Sequence, residues 1–219
     1  MPRLIDDSLV ASRSGLPAIR RLGYSGAMSC VSLSPVARSF ALLVLLPLPF
    51  LAGCASTKYR PVSDTPVRIG KPYQVRGVTY VPAEDPLYDR VGYASWYGEE
   101  SGHMTANGER FRHGAVAAAH TTLPLPSYVE VTALDTGRTI LVRVNDRGPF
   151  AGGRIIDLSR AAAAQLGIER AGVAAVRVRR VSPSEQDKKR LRDGKEAALR
   201  VPASASTLAE LRGRLATGR

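Results

Sequence analysis

The sequence predicts a mainly β fold: a small six-stranded closed barrel with one short α-helix, flanked by an extended N-terminal tether and a helical or disordered basic tail. Three observations predict it. Six short apolar or alternating segments fall between residues 91 and 181, turn-forming residues separate most of them, and only one alanine-rich run there has helical character. Many short strands with one helix suit a closed barrel better than a layered α/β fold. A hydrophobic fraction of 44% in 219 residues is enough for a single core.

In chain order the strand candidates are VGYASWYG (91–98), AVAAAH (115–120), YVEVTAL (128–134), RTILVRVND (138–146), RIIDLS (154–159) and VAAVRVRRV (173–181). Asp135, Thr136 and Gly137 join the third and fourth as a hairpin, because Asp and Gly tolerate the left-handed residue of a tight turn. Ser159 predicts an N-cap, residues 161–166 a helix, and Gly167 its C-cap. Ahead of the barrel, residues 55–90 hold five prolines and read as a tether, then an extended segment with YQVRGVTYVP a hairpin around Gly77. In the tail, residues 182–219, SPSE (182–185) and TLAE (207–210) have the form of capping boxes with Ser182 and Thr207 as N-caps. Their apolar faces are weak, which predicts a peripheral or partly disordered tail.

Residues 1–54 read as a leader, with residues 1–27 lying upstream of a second start at Met28. In SFALLVLLPLPFLAGC (39–54), Arg38 flanks an apolar run that ends in small residues and Cys54, the pattern of a secretory signal. The run at 40–51 contains two prolines and is shorter than the roughly 20 residues that span a bilayer, so a transmembrane helix is not expected. The other cysteine, Cys30, lies inside the leader, so the exported part has no disulfide. The net charge is +12; five Arg and two Asp precede Cys54, leaving 26 basic and 17 acidic residues after it. Such a balance ordinarily raises nucleic acid as a partner, but export argues against that and toward the anionic surfaces of a cell envelope. His103, His113 and His120 match no common zinc spacing, and Gly152 and Gly153 precede no phosphate-binding Lys-Ser or Lys-Thr, so neither metal nor cofactor is expected.

LAGC (51–54) resembles the lipobox of bacterial lipoproteins, whose cysteine carries the lipid. Downstream, GYASWYG, TANGERF, AAHTTLPLPSYVEVT, GRTILVRVNDRGPF, RIIDLSRAAAAQLGI and VRVRRV, in that order, resemble the rare lipoprotein A family over residues 91–181. The resemblance implies a double-psi β-barrel and an endolytic transglycosylase that cleaves MurNAc-GlcNAc bonds of peptidoglycan without water, leaving 1,6-anhydro ends. It also implies a preference for glycan strands lacking stem peptides. Cys54 would anchor a monomeric, periplasmic lipoprotein to a membrane, and Ala55 after it resembles chains sent to the inner leaflet of the outer membrane. Two stretches depart from the family's wording, EESGHM before Thr105 and FRHGAVAAAH after Glu109, and both bear on substrate preference. The tail is too short for the septal glycan-binding repeat that some members carry. The rival reading is a barrel that grips glycan or protein without cutting.

The resemblance assigns catalysis to Glu109, His120 and Asp146. A lytic transglycosylase needs one carboxyl group that gives a proton to the leaving oxygen and then takes one from the sugar's own C6 hydroxyl. Such a group must be protonated near neutrality, so its pKa must be raised by burial or by negative charge. Asp146, where a strand runs into the turn NDRGP, is the candidate; the competing role is an Asx turn near Gly148 that would lower its pKa. Glu109 is either a second catalytic carboxylate, a charge that raises the pKa of Asp146, or a solvated surface residue. His120 either orients a carboxylate, binds a sugar hydroxyl, or is a satisfied core histidine. For substrate binding the candidates are Arg147, turned toward a substrate carboxylate, Tyr97 as a stacking face, and Thr105 and Asn107 beside Glu109. Pleat alternation sends Trp96 to the core and Tyr97 to the groove.

Overall fold

A computed structural model describes residues 59–98 and 102–218. The leader, the lipobox and Cys54 lie outside the described residues. An extended strap (59–70) leads into a hairpin of β1 (Tyr73–Val75) and β2 (Val78–Tyr80), closed by Arg76 and Gly77, both at positive φ, as the sequence predicts.

The six candidate segments all become strands: β3 (Asp89–Tyr97), β4 (Ala117–Ala119), β5 (Ser127–Ala133), β6 (Thr139–Asp146), β7 (Arg154–Ser159) and β8 (Ala174–Arg180). They close into a barrel in the order β3-β7-β4-β6-β5-β8. Two pairs, β3 with β7 and β4 with β6, are parallel, and the other four contacts are antiparallel. Closure leaves no free sheet edge. The interior is filled by β-branched and aliphatic side chains at alternate positions along the strands. Ala118, Val129, Val131, Val142, Val144, Ile156, Leu158, Val176 and Val178 are completely buried. Each of the larger ones contributes about 1.5–3 kcal/mol relative to an exposed position. A Cβ at Gly92 would lie 2.8 Å from Cγ2 of Ile155, so the tight approach of β3 to β7 needs a residue without a side chain.

Helix α1 (Arg160–Leu166) follows β7 directly. Ser159 Oγ accepts from the Ala162 N–H, and Gly167 at φ 85° closes the C-terminus, both as the sequence predicts. The tail is helical, as one of the two alternatives in the sequence reading has it, but it is packed more firmly than its weak apolar faces suggest. It forms α2 (Glu185–Arg192) and α3 (Ala205–Thr217), and it buries Leu191, Ala197, Leu208 and Leu211. The N-caps are Ser184 and Ser204 rather than Ser182 and Thr207: each serine accepts from the third helical N–H, and Thr207 supplies one of these. The strap is equally engaged. Arg60 N–H donates to Gly108 O at 2.6 Å, and Arg68 and Leu125 exchange two backbone bonds at 2.8 Å.

Candidate active site

Strict alternation along β6 would send Asp146 inward with Val142 and Val144. A bulge prevents this: Ala118 pairs with Val144, but the next residue, Ala119, pairs with Asp146, leaving Asn145 as the extra residue. Asp146 is therefore turned out of the core and is partly exposed. Its Oδ1 accepts from the N–H groups of Ala106 and Arg147, both at 2.8 Å. Burial raises its pKa, and these two bonds and the Arg147 charge offset that only in part. Asp146 thus bonds a backbone amide of its own turn, though at Arg147 rather than at the Gly148 position of an Asx turn, and the expected depression does not follow.

Arg147 does not turn toward the open face, contrary to the sequence reading. Its guanidinium donates to the carbonyls of His120 (3.2 Å), Leu123 (2.6 Å) and Ile69 (2.9 Å), tying the strap to the turn after β4. Three backbone carbonyls accept from it in this arrangement.

Glu109 is neither solvated nor at the surface, being 1% exposed. Arg143 grips it bidentately at 2.7 and 2.8 Å, and the side-chain amides of Asn107 and Asn145 donate at 2.8 and 2.9 Å. Burial alone would raise its pKa, but the bonds from Arg143, Asn145 and Asn107 and the Arg143 charge outweigh it, and the net shift is downward. Such a group holds no proton to give, and with Arg143 balancing it, its charge is not what raises the pKa of Asp146. Thr105 and Asn107 are also buried, at 4% and 2% exposure. The Thr105 hydroxyl accepts from the Glu109 N–H at 3.3 Å, and Asn107 Oδ1 accepts from Arg60. Both hold the Glu109 turn together. That turn carries the Ala106 N–H to Asp146.

His120 is the satisfied core histidine. It is 2% exposed; Nδ1 accepts from the N–H groups of Thr122 and Leu123, and Nε2 meets the Tyr88 hydroxyl at 2.9 Å. Burial, helped by the Arg147 charge, lowers its pKa to about 3. The ring is neutral and fully used, so it cannot reach a sugar. Its backbone N–H donates to Asp146 O at 3.0 Å, and its own carbonyl holds Arg147.

Four residues in register, Ser95 on β3, Asp157 on β7, Ala119 on β4 and Asp146 on β6, form one row across the outer face of the barrel. Tyr97 stands on the same face of β3; burial and then the charges of Asp146 and Asp157 raise its pKa. Trp96 packs against the core and donates its indole N–H to Glu169 O at 3.1 Å. Beside the row, Trp96, Tyr97, Phe111, His113 and Arg160 line an open hollow of about 570 Å³. Its aromatic rings meet at centroid distances of 5.6 Å (Tyr97 and Phe111) and 4.8 Å (Phe111 and His113). The sequence reading missed Asp157 and Arg143. Period-two alternation in RIIDLS already opposes Asp157 to Ile156 and Leu158, but nothing local says which strand lies beside it.

A family model described as "Lytic transglycolase" matches residues 89–178, the barrel strands from β3 to near the end of β8. Three curated proteins, each named "Endolytic peptidoglycan transglycosylase RlpA", are similar to this chain. The one from Pseudomonas aeruginosa is 48% identical over 147 residues, covering 63% of this chain and 43% of the relative. That from Vibrio cholerae is 41% identical, covering 68% and 66%. That from Rickettsia felis is 37% identical over 168 residues, covering 67% of this chain and 73% of the relative. The chain belongs to the RlpA family. Its barrel, with two interleaved parallel pairs, is the double-psi barrel of RlpA. It spans less than half the length of the P. aeruginosa RlpA that it matches.

Proposed function

We propose that this protein is a lytic transglycosylase that cuts the MurNAc-GlcNAc bonds of peptidoglycan without water and leaves 1,6-anhydroMurNAc ends. The observation that carries the reading is Asp146: a carboxyl group on an open face, its pKa raised by burial, with the neighbouring guanidinium turned away to backbone carbonyls. Asp146 protonates the glycosidic oxygen as the C1–O bond breaks and the bonding pair stays on that oxygen. The resulting carboxylate then takes the proton of the C6 hydroxyl as O6 bonds to C1. No metal or cofactor enters these steps.

In this reading Glu109 and His120 are positioning residues. Glu109, fixed by Arg143, sets the turn whose Ala106 N–H reaches Asp146. His120 sets the turn whose carbonyls hold Arg147 away from it. Tyr97 and the aromatic hollow supply flat faces for neighbouring sugars. Glycan strands without stem peptides are the favoured substrate in this reading, because the row of Ser95, Asp157, Ala119 and Asp146 offers acids and small side chains to a sugar. Lipid on Cys54 would hold the barrel, as a monomer, at the periplasmic face of the outer membrane.

The test is incubation of the purified full chain with isolated sacculi, with mass spectrometry of the released fragments. Anhydro ends that vanish in Asp146→Asn are expected. Sacculi bound but uncut by the parent chain would leave a binding module instead.

A further inference from the structure

Asp157 has no part in the reaction above, yet it shares the open face with Asp146. Strand β4 lies between them, and Ala119 is in register with both. Side chains in register share a face; Ala118 and Leu158, one residue along, and Val144, across the bulged Asn145, are completely buried on the other. Two strand spacings thus separate the acids, roughly 9 Å between their Cα atoms. On the strand between them the residue in register is Ala119, whose side chain is a methyl group. Tyr97, two residues beyond Ser95 on the same face of β3, is near enough to both acids for their charges to raise its pKa.

Their neighbours treat the two acids differently. Asp146 accepts only backbone N–H groups. Asp157 accepts from the Ser95 hydroxyl at 2.9 Å and lies 3.3 Å from the Arg154 guanidinium, which also donates to Ser95 Oγ. Burial raises the Asp157 pKa, with the Ser95 bonds and the Arg154 charge opposing it. Its side chain remains 15% exposed.

We infer that Asp157 is the second carboxylate of the site: an anion facing the sugar ring whose C1–O bond breaks, stabilising positive charge at C1 and the ring oxygen while Asp146 moves the proton. This rests on the transglycosylase reading. Asp157 gives and takes no proton. The proton passes from Asp146 to the leaving oxygen, the C6 hydroxyl replaces it on Asp146, and the C1–O6 bond replaces the C1–O4 bond, so atoms and charge balance without water. Ser95 and Arg154 aim the Asp157 carboxyl group and oppose the rise in its pKa that burial causes, which favours its anion.

Release of anhydro ends from sacculi by the full chain, the Asp157→Asn variant and the Arg154→Gln variant tests this. Asp157→Asn is expected to lower kcat by roughly 100-fold or more, with KM changed by less than about threefold, as loss of a charge that acts in the transition state does. Arg154→Gln is expected to stay active but to move the acidic limb of the pH profile upward, because Asp157 without its cation needs a higher pH to ionise. A purely structural Asp157–Arg154 pair would make the two variants lose activity in parallel, with no shift of that limb, and would overturn the inference. So would Asp157→Asn at parental rate while Asp146→Asn is inactive; that result leaves the transglycosylase reading standing. A parent chain that releases no anhydro ends removes both. Should Asp157→Asn fail to fold, the Arg154→Gln profile decides alone.

Discussion

Glu109→Gln isolates what the buried pair with Arg143 does. The substitution keeps the side chain's size and removes its charge, so the Arg143 guanidinium loses its bidentate partner in a site where both side chains are at most 3% exposed. Stranding one member of a buried pair costs about 3–5 kcal/mol. Arg143 still has Asp64 at 3.2 Å and the Ser63 carbonyl at 2.8 Å, which puts the expected loss near the lower end, about 3 kcal/mol. For a domain of this size that corresponds to a fall in Tm of roughly 6–12 °C by calorimetry. The pH dependence gives a second check. The folded pKa of Glu109 is depressed, so its contribution is present above the ordinary value of 4.5 and is lost as pH falls through the folded value. The deficit of Glu109→Gln relative to the parent should therefore be full at pH 7 and shrink below about pH 4.5. Adding Arg143→Met should recover at least about 1 kcal/mol relative to the sum of the single losses, since the pair then goes as a unit. A fall of less than about 2 °C for Glu109→Gln at pH 7 would refute the reasoning, because a solvated glutamate would give that result.

Nitrogen chemical shifts of His120 should report a neutral ring with the proton on Nε2 down to pH 5, given a pKa near 3; a protonation midpoint above 5.5 would contradict the backbone bonds to Nδ1. Arg147→Met should speed proteolysis within the strap, which loses the bond from Arg147 to Ile69, and it should extend activity on sacculi to higher pH, because losing that cation lets the pKa of Asp146 rise and a proton donor works below its pKa. An unchanged basic limb would count against Asp146 as the acid. Leu211→Ala should cost about 2–3 kcal/mol in urea unfolding, since the leucine is 2% exposed under α3; a loss below about 0.5 kcal/mol would restore the peripheral tail that the sequence suggests.

Much of the scaffold is readable one residue at a time. β6 shows its strand in the alternation of Val142, Arg143 and Val144, and α1 shows both ends in Ser159 and Gly167, because these signals need only local geometry. The tail misled for a complementary reason. Leu208 and Leu211 make a thin apolar stripe that looks insufficient until a barrel surface is there to cover it. The site was legible in part. Asp146 could be picked out from its turn, but its outward aim depends on a bulge that exists only through pairing with Ala118 and Ala119.

Glu109 and His120 are assigned to catalysis by the family resemblance, and the sequence leaves open whether each is buried. Their burial and partners are not legible there, since Arg143 arrives from a strand 34 residues away and Tyr88 from 32 residues upstream. Asp157 could be assigned an outward face from RIIDLS but not a neighbour. The sequence by itself determined the strands, the helix with its caps, and which residues are able to move a proton. Tertiary structure decided which carboxyl groups meet and which are neutralised, because a pKa answers to charges and solvent within a few ångströms, and those neighbours come from strands far apart in the chain.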